Sequence, residues 1–299
     1  MRSRGYGRWF DLNQGSPPDP RPGPGQVRVR VKAAGVQPYD CAVRAGWTPP
    51  GPPTGFPRIP GNEFAGVIDV LGEGVTGFTE GQHVLGFTVG SGHAEYVVVE
   101  TGQVAPRPAA LPWEVAGALS AAHTADSALR ELAVGAGEVL LVHAAAGGVG
   151  SAAVQLGVRG GATVIGTARE DNHDYLRSLG ALPVAYGPGL LDRVRELAPA
   201  GVDAALDGAG GDALEVSLLL VQDRDRILTL TEHRRAQELG IRVVRTGHTA
   251  ARRAELAELV ARGELAVHIR RTYPLAQAAD AHRDVESGHG RGRVVLTTE

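Results

Sequence analysis

The sequence predicts an α/β protein, a doubly wound parallel sheet preceded by a β-rich domain. Three observations predict it. Glu138 to Gly161 reads EVLLVHAAAGGVGSAAVQLGVRGG, an apolar run, a glycine-rich turn and a helix of small residues. After it, strand-like and helix-like segments alternate at the spacing of βαβ units. Before it, short strand-like runs and glycine turns follow one another with no long helical period.

The 299 residues are enough for one large domain or two of ordinary size, and 43% hydrophobic residues supply a substantial core. The formal net charge is −3 and no long run of Lys or Arg occurs, so neither nucleic acid nor an anionic membrane is an expected partner. The single cysteine, Cys41, excludes intramolecular disulfides and a zinc site built on several thiolates. It reads as a small buried residue. Arg2, Arg4 and Arg8 make the N-terminus basic, but no apolar run follows them and no segment is long enough to span a bilayer. A cytoplasmic location is the expectation.

In chain order, residues 15 to 25, GSPPDPRPGPG, form a turn-rich lead. Val27 to Ala33 then alternates apolar and basic residues, the period of a half-exposed antiparallel strand. Further strands are expected at Phe64 to Leu71, His83 to Phe87 and Ala94 to Val99, with turns at Gly72-Glu73-Gly74 and Glu80-Gly81-Gln82. Gly46 to Gly61, GWTPPGPPTGFPRIPG, is too rich in proline for a helix or a central strand. Two readings of it stand: a loop covering a pocket, or a rigid connection whose Trp47 and Phe56 pack on the strands. Trp113 to Leu132 has a helical period.

Val139 to Val142 is a continuous apolar run, as a parallel strand buried on both faces requires. The chain then turns through Ala145-Ala146-Gly147-Gly148-Val149-Gly150; against G-x-G-x-x-G, Ala145 replaces the first glycine while Gly147 and Gly150 stand in place. A Cβ there would hold the backbone off a pyrophosphate and the helix off the strand, and the helix start offers free N–H groups to phosphates. Strands follow at Ala162 to Thr167, Leu182 to Ala185, Val202 to Leu206, Ile227 to Thr231, Ile241 to Val244 and Ala266 to Ile269. Helices are expected at Asn172 to Leu179, Leu190 to Leu197 and Ala250 to Arg262. The last segment, helix Leu275 to Glu286 and strand Arg293 to Leu296, either extends this sheet or returns to the first domain.

Charge at the end of the second strand bears on the cofactor. The strand closes on Thr167, Ala168 and Arg169, where an acidic residue would suit NAD; a guanidinium there suits the 2′-phosphate of NADPH, with His173 a weaker candidate. Glu170 and Asp171 follow at once, and the preference reverses if they turn inward in place of Arg169.

Several separated motifs resemble the zinc-independent quinone oxidoreductases of the medium-chain dehydrogenase/reductase superfamily. They are VKAAGVQPYD at Val31 to Asp40, IPGNEFAGVIDVLGEGVTGF at Ile59 to Phe78, HAAAGGVGSAAVQL at His143 to Leu156, VDAALDGAGG at Val202 to Gly211 and GRGRVVL at Gly290 to Leu296. The resemblance implies a GroES-like β-barrel catalytic domain over 1–121 and 265–299 and a Rossmann dinucleotide-binding domain over 122–264. Gln37 and Asn62 stand where zinc-dependent relatives carry a cysteine and a histidine, and the four-cysteine lobe is missing, so no metal site is expected. His83, His93, His123 and His143 are scattered singly and read as surface or packing residues.

The resemblance also implies a reaction, NADPH-dependent hydride transfer to a small-molecule acceptor, a quinone or an α,β-unsaturated carbonyl. An enoyl or enone reductase of a biosynthetic pathway is the alternative, and a non-catalytic NADPH-binding or structural protein is the alternative of another class. Tyr39, Gln37 and Asn62 are the candidate donors to the acceptor's oxygen, with Tyr39 the first choice as proton donor. Cofactor contacts are implied at Gln37, at Thr124 near the nicotinamide, at Gly147, Gly148 and Val149 on the pyrophosphate, and at Gly208, Ala209, Leu230 and Thr231. Tyr186 is implied beside Arg169. Asp126 and the run Val221 to Arg226 depart from the family, which carries an aromatic residue near the first and a proline-glycine turn at the second. A homodimer is expected, paired through Ile227 to Thr231 and Ile241 to Val244 at the edge of the nucleotide sheet.

Overall fold

The computed structural model describes residues 2–3, 12–13, 19–47, 58–245, 247–288 and 290–298. Arg4, Arg8 and the proline-rich stretch 48–57 with Phe56 lie outside the described residues. Contacts divide the chain into two units, Met1–Ser120 with His248–Glu299, and Ala121–Gly247.

The first unit begins with two-residue strands β1 (Arg2–Ser3) and β2 (Leu12–Asn13), paired antiparallel. Then come β3 (Gln26–Val36), α1 (Pro38–Arg44), β4 (Glu63–Leu71), β5 (His83–Phe87), β6 (Tyr96–Glu100), β7 (Val104–Pro106) and α2 (Trp113–Ala116). The alternation read in the sequence of β3 is real: Val27, Val29 and Val31 are buried against Phe64, Ile68, Val84, Val97 and Val99, while Arg30 is exposed. β3 is an interior strand that pairs antiparallel with β4 along one edge and with β6 along the other, and its register with β4 shifts between Arg28 and Val29 and between Val31 and Ala33.

The expected helix over 113–132 is two helices. Gly117 ends α2 because its carbonyl accepts the Gly35 N–H at 2.8 Å, and a Cβ on Gly117 would lie 2.7 Å from the Ala33 carbonyl oxygen. The chain resumes as α3 (Ser120–Glu131).

The second unit holds β8 (Val139–Val142), α4 (Gly148–Arg159), β9 (Thr163–Ala168), α5 (His173–Ser178), β10 (Leu182–Ala185), α6 (Leu190–Leu197), β11 (Ala204–Asp207), α7 (Gly211–Leu220), β12 (Ile227–Thr229), α8 (Ala236–Leu239) and β13 (Arg242–Val243). The strand order is β10-β9-β8-β11-β12-β13, and every pair is parallel. Numbered from β8, that is 3-2-1-4-5-6, the order of a dinucleotide-binding sheet. Leu141, Ile165, Ala205 and Ile227 from its strands pack with Val194 of α6 and Leu214 of α7. The edge expected over 227–231 and 241–244 is β13 alone, because β12 pairs with β11 on one side and β13 on the other.

The chain returns to the first unit with α9 (Ala250–Ala261), β14 (Ile269–Pro274), α10 (Ala278–Glu286) and β15 (Arg293–Thr297). The division by contacts therefore falls at 247/248, whereas the sequence reading places 248–264 with the nucleotide domain. Arg253 of α9 explains the grouping: it is buried, donates to the Gln103 carbonyl at 2.9 Å and lies over the Phe87 ring. The strand expected at 266–269 starts only at Ile269. As the outer strand of its sheet, β14 leaves Arg271 and Thr272 exposed, which hides its length from an apolar pattern. Of the two readings of the last segment, the return to the first domain holds, since β15 runs antiparallel to β3.

Candidate functional site

In the second unit, functional groups gather at the C-terminal ends of the strands, where an open parallel sheet binds its ligands. β8 runs into a turn whose Ala144 holds φ at 55°, a strained value for a residue with a Cβ. The Ala145 N–H is held by the Thr167 carbonyl at 3.0 Å, and the Gly147 N–H by the Ala144 carbonyl at 3.0 Å. Gly147 caps α4 with no side chain on its first N–H groups. A Cβ on Gly150 would collide with the backbone of Ala144 and Ala145, so only glycine lets the helix start this close to the turn. Gly147, Gly148 and Val149 are half-buried, and the helix start they form could hold a pyrophosphate.

The other residues expected at the cofactor fall into three groups. Ala168 and Ala185 are partners in the β9–β10 register, which sets Arg169 and Tyr186 side by side at the exits of these strands; both are exposed. The Arg169 carbonyl accepts from Asn172 at 2.9 Å as a short turn leads into α5, where His173 is half-buried. Thr167 and Ala168 are buried, and the Thr167 hydroxyl points into the unit, accepting the Ala144 N–H at 3.3 Å with His143 Nδ1 3.2 Å away.

Gly208, Ala209, Leu230 and Thr231 are brought together by Asp207. Its carboxylate accepts the N–H groups of Ala209 at 2.9 Å and Gly210 at 2.8 Å, and the hydroxyls of Thr229 at 2.7 Å and Thr231 at 3.3 Å. Its carbonyl accepts from Leu230 at 2.8 Å. Asp207 itself escaped the sequence reading, although it lies within the VDAALDGAGG motif. Thr124 stands half-buried on α3, and Asp126, two residues on, is buried and paired with Arg130.

In the first unit a buried polar network surrounds the start of α1. The Gln37 N–H caps onto Asp40 at 2.8 Å, and its side-chain amide donates to Glu63 at 2.8 Å. Glu63 also accepts the Ser120 N–H at 2.8 Å and is ion-paired with Arg293. Asp40 accepts from the Gly61 N–H at 3.2 Å and lies 3.9 Å from His93 Nε2, which donates to the Gly35 carbonyl at 3.0 Å. Burial raises the Asp40 pKa, against the lowering effects of His93 and the Gln37 N–H. The Asn62 side-chain oxygen accepts from Gly90 at 2.9 Å.

Tyr39, next in the chain, meets the Trp47 ring edge to face at 5.5 Å, and burial followed by Asp40 raises its pKa, so its phenol keeps its proton at neutral pH. Cys41 is buried against His282. Sequence reasoning missed Glu63, Arg293, Asp40 and His93 as one cluster, though the first three lie inside quoted motifs. Among the described residues no group of three or more His, Cys, Asp or Glu is disposed to hold a metal ion, and no helix is long and apolar enough to cross a membrane.

Two family models match: an alcohol dehydrogenase GroES-like domain over residues 23–112 and a zinc-binding dehydrogenase domain over 179–296. The chain is 36% identical over 292 residues to the pikromycin polyketide synthase component PikAII of Streptomyces venezuelae, covering 89% of this chain and 8% of that protein. It thus spans a small fraction of this relative's length. It is 29% identical over 288 residues to quinone oxidoreductase of Rattus norvegicus, covering 88% of this chain and 86% of that one. Among solved structures, quinone oxidoreductase from Coxiella burnetii superposes with a TM-score of 0.86 at 28% identity, covering 100% and 98% of the two chains. A mycobacterial protein complexed with NADPH gives 0.86 at 27%, covering 99% of each. An NAD-dependent alcohol dehydrogenase gives 0.86 at 29%, covering 100% of each.

Proposed function

The chain belongs to the medium-chain dehydrogenase/reductase superfamily, with the quinone oxidoreductases, and from that premise we propose an NADPH-dependent, zinc-independent reductase of quinones or α,β-unsaturated carbonyl compounds. Oxidoreductase activity follows from the family; cofactor and acceptor are the proposal. The observation that carries it is the glycine cradle at the start of α4 with Arg169 and Tyr186 together at the neighbouring strand exits. The cradle suits a pyrophosphate, and Arg169 suits a 2′-phosphate by charge and by its forked donor.

A bound nicotinamide would supply hydride. The chain's own residues supply position and polarity. Gly147, Gly148 and Val149 hold the pyrophosphate through backbone N–H groups, and Gly208, Ala209, Leu230 and Thr231 are fixed around Asp207 to line the remaining length of the dinucleotide. Tyr39, protonated at neutral pH, is the donor to the acceptor's carbonyl oxygen as negative charge develops there. Zinc has no part: Gln37 and Asn62 stand at the positions where zinc-dependent relatives carry ligands, and their amides are engaged with Glu63 and Gly90. An acceptor that is already electron-poor fits a site lacking a Lewis acid.

A second reading, reduction of an enoyl thioester, is favoured by the polyketide synthase relatives. A panel of quinones, enones and enoyl thioesters, followed by loss of NADPH absorbance, separates the two. Turnover of quinones is expected; turnover of enoyl thioesters alone would move the assignment, and NADPH binding with no turnover of any acceptor would make this a binding protein. On the best acceptor, Tyr39→Phe is expected to lower kcat by about ten- to a hundredfold.

A further inference from the structure

We propose that His143 is a positioning residue for the dinucleotide, the buried link that holds the glycine-rich turn of the second unit in its binding shape. The proposal rests on the reading that this unit binds a nicotinamide dinucleotide. His143 is the last residue before the strained Ala144, is 1% exposed, and its backbone N–H is tied to the Leu206 carbonyl at 2.9 Å. Its ring spans two elements. Nε2 lies 2.9 Å from the Ser217 hydroxyl of α7, and Nδ1 lies 3.2 Å from the Thr167 hydroxyl at the end of β9.

Thr167 is the residue on which the turn rests, because its hydroxyl accepts the Ala144 N–H and its carbonyl accepts the Ala145 N–H. A hydroxyl that accepts from Ala144 still has its own proton to give. The arrangement that uses every group has Thr167 O–H donating to Nδ1 and Nε2–H donating to Ser217. A neutral imidazole is required for it, and burial keeps His143 neutral by lowering its pKa to about 4, against the raising effect of Asp207.

The chain of bonds Ser217, His143, Thr167, Ala144 thus joins α7, the turn and the end of β9. The loop after β11 is drawn into the same assembly: Gly208 lies so close to the His143 carbonyl that a Cβ there would be 3.1 Å from it. In the proposal Ser217, His143, Thr167 and Ala144 do not touch a phosphate directly. His143 acts by fixing the backbone that does.

The test measures the Kd of NADPH by fluorescence titration, alongside Tm, for wild type, His143→Leu, His143→Gln and Leu214→Ala. Leu214 is fully buried on the same helix as Ser217 and controls for lost packing alone. His143→Leu is expected to weaken NADPH by about tenfold or more through the loss of two buried hydrogen bonds. His143→Gln, with an amide able to donate and accept, should recover most of that loss. In turnover the loss should fall on the KM for NADPH and spare kcat at saturation. The proposal is overturned if His143→Leu binds NADPH as wild type does, or if Leu214→Ala at a matched Tm loses as much affinity. Wild type that binds neither NADPH nor NADH would reject the dinucleotide reading itself, and the role of His143 with it.

Discussion

Arg169 is where a single side chain is expected to decide the cofactor. The backbone sets it level with Tyr186, since the residues before them are partners in the parallel register of β9 and β10. The next two residues in the chain, Glu170 and Asp171, are exposed carboxylates, so the arginine faces local competition in charge as well as water. A guanidinium on a 2′-phosphate makes charge-assisted hydrogen bonds that NADH cannot return. Arg169→Ala should therefore lower the NADPH-to-NADH ratio of kcat/KM by about tenfold, nearly all of it in KM for NADPH. An unchanged ratio would remove Arg169 from the site. The position of Arg169 was legible from the strand and its end; Tyr186 follows a different strand, so its place beside Arg169 was implied only by the family resemblance, and the β9–β10 register gives the physical reason for it.

At the scale of elements, the approach of α4 to its turn depends on Gly150. An added Cβ meets backbone atoms, which cannot rotate away, so the helix start or the Ala144 turn must move. Gly150→Ala is expected to weaken dinucleotide binding by about tenfold or more and to lower stability by roughly 1–3 kcal/mol; retention of wild-type Kd and Tm would show that the turn tolerates the displacement. The motif made this glycine visible in the sequence because its spacing is a backbone requirement. Other elements lacked such a signal. α7 is entered through Gly210 and Gly211, both at positive φ, with no side-chain cap, and so carries none of the usual marks of a helix start. α1 is only seven residues long, and its cap is the reciprocal pairing of Gln37 with Asp40 rather than a Ser, Thr or Asn. β14 hides behind charged residues on an open edge. Strands buried on both faces, such as β8 and β11, were plain in the sequence because no solvent face interrupts their apolar run.

Across the whole molecule, what the sequence least reveals is the set of buried polar groups that long-range folding assembles. Glu63 and Arg293 are 230 residues apart, and His143 meets Ser217 across 74. Each unit consequently encloses an imidazole held neutral: His143 in the second, lowered to about 4 by burial, and His282 in the first, lowered to about 2 by burial and by the nearby His93 and Arg44. An unfolded histidine titrates near pH 6.5. Because both folded values lie below it, the unfolded chain binds more protons as pH falls, so the stability present above about pH 6.5 is lost progressively toward the folded values. For His143 the full span corresponds to roughly 3 kcal/mol. Asp40 works in the opposite sense: its folded pKa is raised, so lowering the pH through its range favours the folded state and opposes the loss in the first unit. The two units should therefore differ in acid. Urea titrations at pH 7, 6 and 5 are expected to show stability falling with pH, and His143→Gln should flatten that slope, by up to about 1.4 kcal/mol per pH unit, for the transition that unfolds the second unit. A His143→Gln protein with the wild-type slope would mean that the imidazole reaches water in the folded state and that its burial does not govern the acid response.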